Sequence, residues 1–411
     1  MNFLYGRGTY GRSIFAGRLN GSGSDSERGK VLEFYPGQYT VIAYAKDGTK
    51  TAIFGSGSEG NAISQLKFEI TNTGCGQCQL SFKKLPGNTD LDYMQRIDIH
   101  LFGDSQPWYS GYILTRPVEG TTDTEYKFTG YGYYNKLDYI LIFKTYENVD
   151  VGEIARDIAR QAEKAQGLVY NAVKIPDVGY KPAKIVFDGV TAAEALDTLT
   201  DFALDYVYGV DEYRSIYFKP RDTKINEQAR LTVGKHIGSY SPSWDASKVV
   251  NWARIKGGNI DDEGEAWLCT VQDTASQKEY GLRQEIWDLP SAYEVADAQR
   301  WGQNQIAQYK APVKSAKVKN VKLEYPYPDG TFNVRHMSTD GQAEIRRLDG
   351  KAETYPITKI SYTISGTDGI KADLELGEPV FAVDKYLLGI ERKAADMEQA
   401  QQSAIKQLKG G

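Results

Sequence analysis

Cys75 and Cys78, in the stretch T-G-C-G-Q-C-Q, are the residues whose type and spacing most directly suggest chemistry. A CxxC between glycines reads in three ways: half of a zinc site, a redox pair, or two small residues in a strand. A zinc ribbon needs a second such pair or two histidines. The one other cysteine, Cys269, lies far along the chain inside A-W-L-C-T-V, which reads as a strand. Cys78 continues the row formed by Leu80 and Phe82. If the strand already runs through position 75, Cys75 points to the opposite face, because the separation is odd. Gly74 and Gly76 could instead bend the chain and bring the sulfurs together. The expectation is a strand entrance with a turn or bulge at these glycines, Cys78 acting as a small apolar residue. Whether Cys75 and Cys78 ever pair stays open.

Other titratable groups are scattered. His100 shares a strand face with Arg96 and Asp98, opposite Ile97, Ile99 and Leu101, and reads as solvent-facing; His236 falls in a loop-like stretch, and His336 sits beside Arg335 near a turn. Asp201, Asp205, Asp211 and Glu212 gather near a helix end and a hairpin, and Asp261, Asp262, Glu263 and Glu265 form an acidic run that reads as a hydrated loop. A glycosidase needs only two carboxylates, one with a raised pKa, and distant segments can assemble such a pair. Nothing in the sequence points to one. No nucleophile elbow, H-E-x-x-H helix, Walker loop or spaced calcium loop is present. A formal G-x-G-x-x-G at Gly6, Gly8 and Gly11 has too little chain before it for a supporting strand and no amphipathic helix after it. No catalytic, cofactor-binding or metal-ligating residue is assigned, no cofactor is expected, and the chain reads as a non-enzyme.

The elements that would position these groups follow from composition and period. The chain has 411 residues, a length that suggests more than one domain. Forty-nine basic and 54 acidic residues give a net charge of -5, which argues against a nucleic-acid or anionic-membrane surface as the main role. The lysines at 314, 317, 319 and 322 alternate with other residues and read as the wet face of a strand. An odd count of three cysteines is no disulfide framework, and no signal-peptide or membrane-length apolar run is seen; the expectation is a soluble protein made in a reducing cytoplasm. Forty-one Gly and 29 Tyr describe many strands and turns.

Residues 1–30 read as an arm and flexible linker. Alternating rows such as Leu66, Phe68, Ile70 and Ile97, Ile99, Leu101 mark 31–147 as β-structure. The period changes at Asn148. Asp150 with Glu153, and Thr191 with Glu194, form capping-box patterns ahead of two amphipathic helices, and a hairpin follows around G-V-D-E, so 148–230 reads as an α/β insert. Strands resume over 231–383, with Ile360, Tyr362, Ile364 and Ile370, Ala372, Leu374, Leu376 flanking a T-D-G turn and a helix at about 291–309 that starts from Ser291 and Glu294. A last helix is expected over 384–411. The fold class is α+β, mainly β.

This order resembles the baseplate-hub or tail-tip hub proteins of tailed bacteriophages and related contractile injection systems. The likeness rests on Trp108-Tyr-Ser-Gly-Tyr-Ile-Leu with Phe128-Thr-Gly-Tyr-Gly-Tyr-Tyr, on the two helix starts T-Y-E-N-V-D-V-G-E-I-A and F-D-G-V-T-A-A-E-A-L, and on Asp245-Ala-Ser-Lys-Val-Val-Asn-Trp followed by Lys278-Glu-Tyr-Gly-Leu-Arg. It covers most of residues 60–380. The resemblance implies two tube-type β-barrel domains, 31–147 and 231–383, flanking the insert. It implies a homotrimer whose six barrels form a pseudo-sixfold ring between the tail tube or distal-tail ring and the tip or spike, around a channel for DNA and the tape-measure protein. DNA would pass without sequence-specific binding, the protein would sit in the virion tail after assembly in the host cytoplasm, and no stable membrane insertion is expected. A carbohydrate-binding or glycan-cleaving tail component, and the hub of a non-viral injection particle, are the alternatives.

Overall fold

A computed structural model describes residues 39–56, 63–87, 89–118, 125–258, 267–326, 332–365 and 369–377. The expected arm, the acidic run at 261–265 and the C-terminal helix lie outside the described residues. The first strands are β1 (Tyr39–Tyr44), β2 (Lys50–Gly55), β3 (Ile63–Thr71), β4 (Gly74–Phe82), β5 (Arg96–Leu101), β6 (Tyr109–Thr115), β7 (Tyr126–Gly132) and β8 (Leu141–Glu147). Helix α1 (Val151–Gln166), β9 (Lys184–Thr191), helix α2 (Ala192–Ala203) and the hairpin β10 (Tyr206–Val210) and β11 (Ile216–Pro220) follow. Then come β12 (Ile225–Thr232), β13 (Ser239–Asp245), β14 (Trp252–Lys256), β15 (Trp267–Gln272), helix α3 (Thr274–Tyr280), β16 (Gln284–Asp288) and helix α4 (Val295–Tyr309). The chain closes with β17 (Val313–Val321), β18 (Glu324–Pro326), β19 (Phe332–Val334), β20 (Gln342–Arg346), β21 (Ala352–Ser365) and β22 (Gly369–Gly377).

The protein is mainly β, as expected. Its largest feature is a sheet running β13-β17-β22-β21-β3-β4-β7-β6-β5-β1-β2, with β10, β11, β12 and β20 branching from it. Among the described residues this path is open at both ends and closes no barrel. The joint between its halves is the antiparallel pair β3–β21, in which Leu66 faces Ile364, Phe68 faces Tyr362 and Ile70 faces Ile360. Both alternating rows are visible in the sequence, yet they lie almost three hundred residues apart and share one ladder. The Phe68 and Tyr362 rings stack at 4.7 Å between centroids. One continuous core therefore holds Val41, Leu66, Phe68 and Phe128 together with Leu231, Val318, Ile360 and Leu374.

The insert has its own core. On α1, Val151, Ile154, Ala155, Ile158 and Ala162 are buried against α2, where Leu196, Leu199 and Phe202 face inward. Thr191 and Glu194 complete the expected capping box, Thr191 Oγ1 accepting from the Glu194 amide and the Glu194 carboxylate accepting from the Thr191 amide. Such a cap contributes about 1 kcal/mol. At the other helix, Asp150 accepts from Gly152, Val178 and Gly179 amides, while Glu153 lies 3.5 Å from Arg156. A third core forms where α4 covers the small sheet β15-β14-β16. Helix α4 begins at Val295, a turn later than the S-x-x-E pattern predicts, with Glu294 itself at the N-cap position and making no side-chain capping bond. Helix α3 had no clear apolar stripe to announce it. The lysine run behaves as expected: on β17, Lys314, Lys317 and Lys319 are exposed while Ala316, Val318 and Val321 are buried. No described helix is long and apolar enough to cross a membrane.

Candidate functional site

The CxxC lies at the start of β4, and both cysteines are buried in the main core. Their odd spacing is absorbed by a bulge. Phe68 faces Cys78 and Ile70 faces Cys75, so two steps on β3 match three on β4, and the extra residue returns Cys75 to the core side. The backbone is tightly enclosed here. Gly74 has φ +106° and a Cβ on it would lie 2.0 Å from the Val210 carbonyl oxygen; on Gly132 it would lie 1.8 Å from that of Cys75. The Ser110 amide donates to Cys75 Sγ at 3.5 Å, and the Tyr109 hydroxyl donates to the Gly76 carbonyl at 2.9 Å. Both thiols are free, and burial pushes them up, Cys78 to about 12, which keeps them protonated and unreactive at neutral pH. Cys269 is partly buried in β15, opposite Ile255 of β14. Among the described residues no group of His, Cys, Asp or Glu is arranged to hold a metal.

The histidines remain apart from one another in role. His100 keeps to the Arg96 and Asp98 face but is half-buried, its Nδ1 bonded to the Asp104 carbonyl at 3.0 Å. Asp98, expected to be wet, is 4 % exposed because Arg96 and the Ser110 hydroxyl both donate to it. His236 is buried, accepting from the Thr232 amide at 3.1 Å, and burial with Arg335, Lys235 and Lys322 nearby lowers its pKa to about 4. His336 lies flat on Trp108, 4.1 Å between ring centres and 3° from parallel.

The carboxylates near the hairpin divide. Asp201 accepts from the Trp301 indole at 2.9 Å, tying α2 to α4, and Asp205 takes a left-handed backbone with φ 47° as the chain turns into β10. Asp211 and Glu212 instead sit at the β10–β11 tip, where the insert meets the start of β4 in the middle of the main sheet. Asp211 shapes the turn, its Oδ1 accepting from the Tyr213 and Ser215 amides at 2.9 Å while Oδ2 pairs with Lys174. The Val210 amide donates to the Thr73 carbonyl at 3.0 Å, and the Tyr217 hydroxyl donates to the Asn72 carbonyl at 2.6 Å. Tyr213 bonds Gln106, Lys219 pairs with Asp340 at 2.8 Å, and Thr339 donates to the Thr71 carbonyl. Three stretches distant in sequence, around 71–73, 106 and 339–340, thus converge on this hairpin.

A cleft opens on each side of that turn. One, of about 450 Å³, lies toward Trp108, His336 and Asp340; the other, of about 420 Å³, lies toward Lys50, Arg96 and Tyr133. Glu212 and Pro107 line both. Burial raises the Glu212 carboxyl above the usual glutamate range, and Asp211 adds to this. The sequence signal for the site was the charged tip D-E-Y-R itself; the walls come from β1, β2 and β5, from the β3–β4 end, from residues 105–110 and from 336–340, which no local pattern links.

No protein-family model matches the chain, and no curated protein matches it. Solved structures do. A 43 kDa tail protein of prophage MuSo2 from Shewanella oneidensis superposes with a TM-score of 0.58 at 16% identity, covering 82% of this chain and 97% of that one. A tail protein from Neisseria meningitidis MC58 gives 0.57 at 12% identity, covering 83% and 97%. The prophage tail protein gp18 from Listeria monocytogenes EGD-e gives 0.52 at 12% identity, covering 86% and 98%. The chain has the fold of these phage tail proteins, and the resemblance drawn from the sequence holds at that level.

Proposed function

We propose that this protein is a structural component of a phage tail or phage-like particle, acting as its hub. The observation that supports this most strongly is the match in fold along nearly the whole length of the Shewanella prophage tail protein. Three copies form a homotrimeric ring with pseudo-sixfold character, joining the tail tube or distal-tail ring to the tip or spike. The ring surrounds the channel for DNA and the tape-measure protein, and the chain itself carries no catalytic step. Its place is the virion tail, with residues 31–147 and 231–383 as the two tube-type units and 148–230 as the insert between them.

The architecture suits a load-bearing ring. A sheet continuous across β3 and β21 couples the two strand-rich parts, and the insert is pinned to both through the β10–β11 hairpin, at Val210 and at Lys219. A ring part that must keep its shape benefits from such cross-links, since contacts over long sequence separations resist local opening. Electron microscopy of the purified full-length protein tests the proposal: threefold rings are expected, and a uniform field of monomers at micromolar concentration would contradict it. Release of reducing sugar from bacterial cell-wall or surface glycans would favour the glycan-cleaving alternative instead.

A further inference from the structure

The cleft of about 420 Å³ has more positive than negative charge on its walls. Its cationic lining is Lys50 from β2, Arg96 from β5 and Arg214 from the hairpin tip; its carboxyls are Asp98 and Glu212. Arg96 is consumed by Asp98, with Nε to Oδ1 at 3.0 Å. Lys50 and Arg214 are exposed, and neither forms an ion pair among the described residues. Glu212 is the remaining carboxyl, and it too has no ion pair among the described residues.

Two further observations point the same way. Arg214 is held at φ 65°, a left-handed conformation that a hairpin turn normally gives to Gly or Asn. Seven described non-glycine residues carry a positive φ, and Arg214 is the one of them that lines this cleft; such strain recurs at ligand clamps. Next to it, Lys136 lies over the Tyr133 ring at 5.8 Å, its ammonium bonded to the Gln166 carbonyl at 3.0 Å, with no carboxylate paired to it among the described residues. Burial and the like charge of Arg214 both disfavour its charged form. Lys50 and Arg214 on the cleft wall, with Lys136 beside Arg214, are thus three cations without an ion pair among the described residues against one such carboxyl, Glu212, and this excess favours an anion.

We propose that this cleft binds a phosphate dianion, either free or as a small phosphomonoester, held by Arg214 and Lys50 across the Arg96–Asp98 floor. A dianion fits better than a carboxylate because, among the described residues, the three unpaired cations around the tip, Lys50, Lys136 and Arg214, exceed the one unpaired carboxyl, Glu212, by two charges. The assignment is independent of the tail-hub reading.

Calorimetric titration of the full-length protein at low ionic strength with inorganic phosphate, phenyl phosphate and benzoate tests it. Saturable binding of one phosphate probe per chain is expected, with benzoate weaker. The Arg214→Asn variant keeps a residue that tolerates the left-handed backbone and is expected to weaken binding about tenfold. Lys50→Gln weakens it less. Glu212→Gln, which removes a lining negative charge, is expected to tighten it, a gain that a merely misfolded variant would not give. Tighter binding of phenyl phosphate assigns the site to a phosphomonoester, and equal or weaker binding to the free ion. No saturable binding up to about 10 mM phosphate would overturn the proposal. So would benzoate binding as tightly as phosphate, or Arg214→Asn and Glu212→Gln both matching the wild type.

Discussion

The CxxC end of β4 and the tip of the β10–β11 hairpin touch one another, through Gly74 and Val210, yet they behave in opposite ways. The first has the residues that look reactive and keeps them in an apolar core; both thiols are buried and held protonated. The second has an ordinary-looking turn, D-E-Y-R, and exposes its charges to two clefts. Residue type suggested chemistry in one place, and surroundings permit it in the other. Desolvation makes the difference. A thiolate buried beside carbonyls is penalised, whereas a guanidinium at a turn keeps its water until a ligand replaces it.

The comparison can be broken most sharply at the CxxC end, where packing dominates. Gly132→Ala forces a Cβ to within 1.8 Å of the Cys75 carbonyl oxygen, so the strands must part. We expect a loss of roughly 3 kcal/mol or more in chemical denaturation, or failure to fold. A variant of wild-type stability would mean that the β4–β7 contact is loose. Next, the double change of Cys75 and Cys78 to Ser buries two hydroxyls in an apolar core and should cost about 1–3 kcal/mol per site. Metal analysis of the wild type should find none bound, and a thiol reagent should reach Cys269 before either buried cysteine. Rapid labelling of all three thiols in native buffer would show that the core reading of this end is wrong.

Titration offers the next test. His236 is neutral in the folded protein, its pKa lowered chiefly by burial to about 4. A lowered folded-state value means that its contribution is present above the unfolded histidine range of about 6.5 and is lost as pH falls toward 4. His236→Gln should flatten that acid limb of the stability profile. Glu212 has the opposite sign. Its folded carboxyl is raised by burial, so its contribution is present below the ordinary glutamate value and disappears as pH rises through the raised one. Glu212→Gln should remove that dependence; an unchanged profile would place Glu212 in open water. The smallest effect belongs to the Lys219–Asp340 pair, half-exposed on both sides, where Asp340→Asn should cost no more than about 1 kcal/mol.

Local pattern carried much of the fold. The rows Leu66-Phe68-Ile70 and Ile360-Tyr362-Ile364, the capping box at Thr191 and Glu194, and the alternating lysines of β17 were legible, because each depends on neighbours a few residues apart. That the two rows are each other's partners was not legible, since nothing local specifies which strand completes a ladder. The bulge at Phe68 and Ile70 was only half legible: Gly74 and Gly76 signalled a bend, but its effect on Cys75 required the opposing strand. Asp211 and Glu212 stood out by charge, while the clefts around them are built from β1, β2, β5, the β3–β4 end and two loops far away in sequence.

The central claim is a ring of three copies, and particle mass in solution tests it most directly. Mass photometry or light scattering of the full-length protein should give a principal species at three times the 45.8 kDa chain mass, with threefold rings in the same sample by electron microscopy. A single species at the chain mass, unchanged up to micromolar concentration and without rings, would contradict the hub assignment.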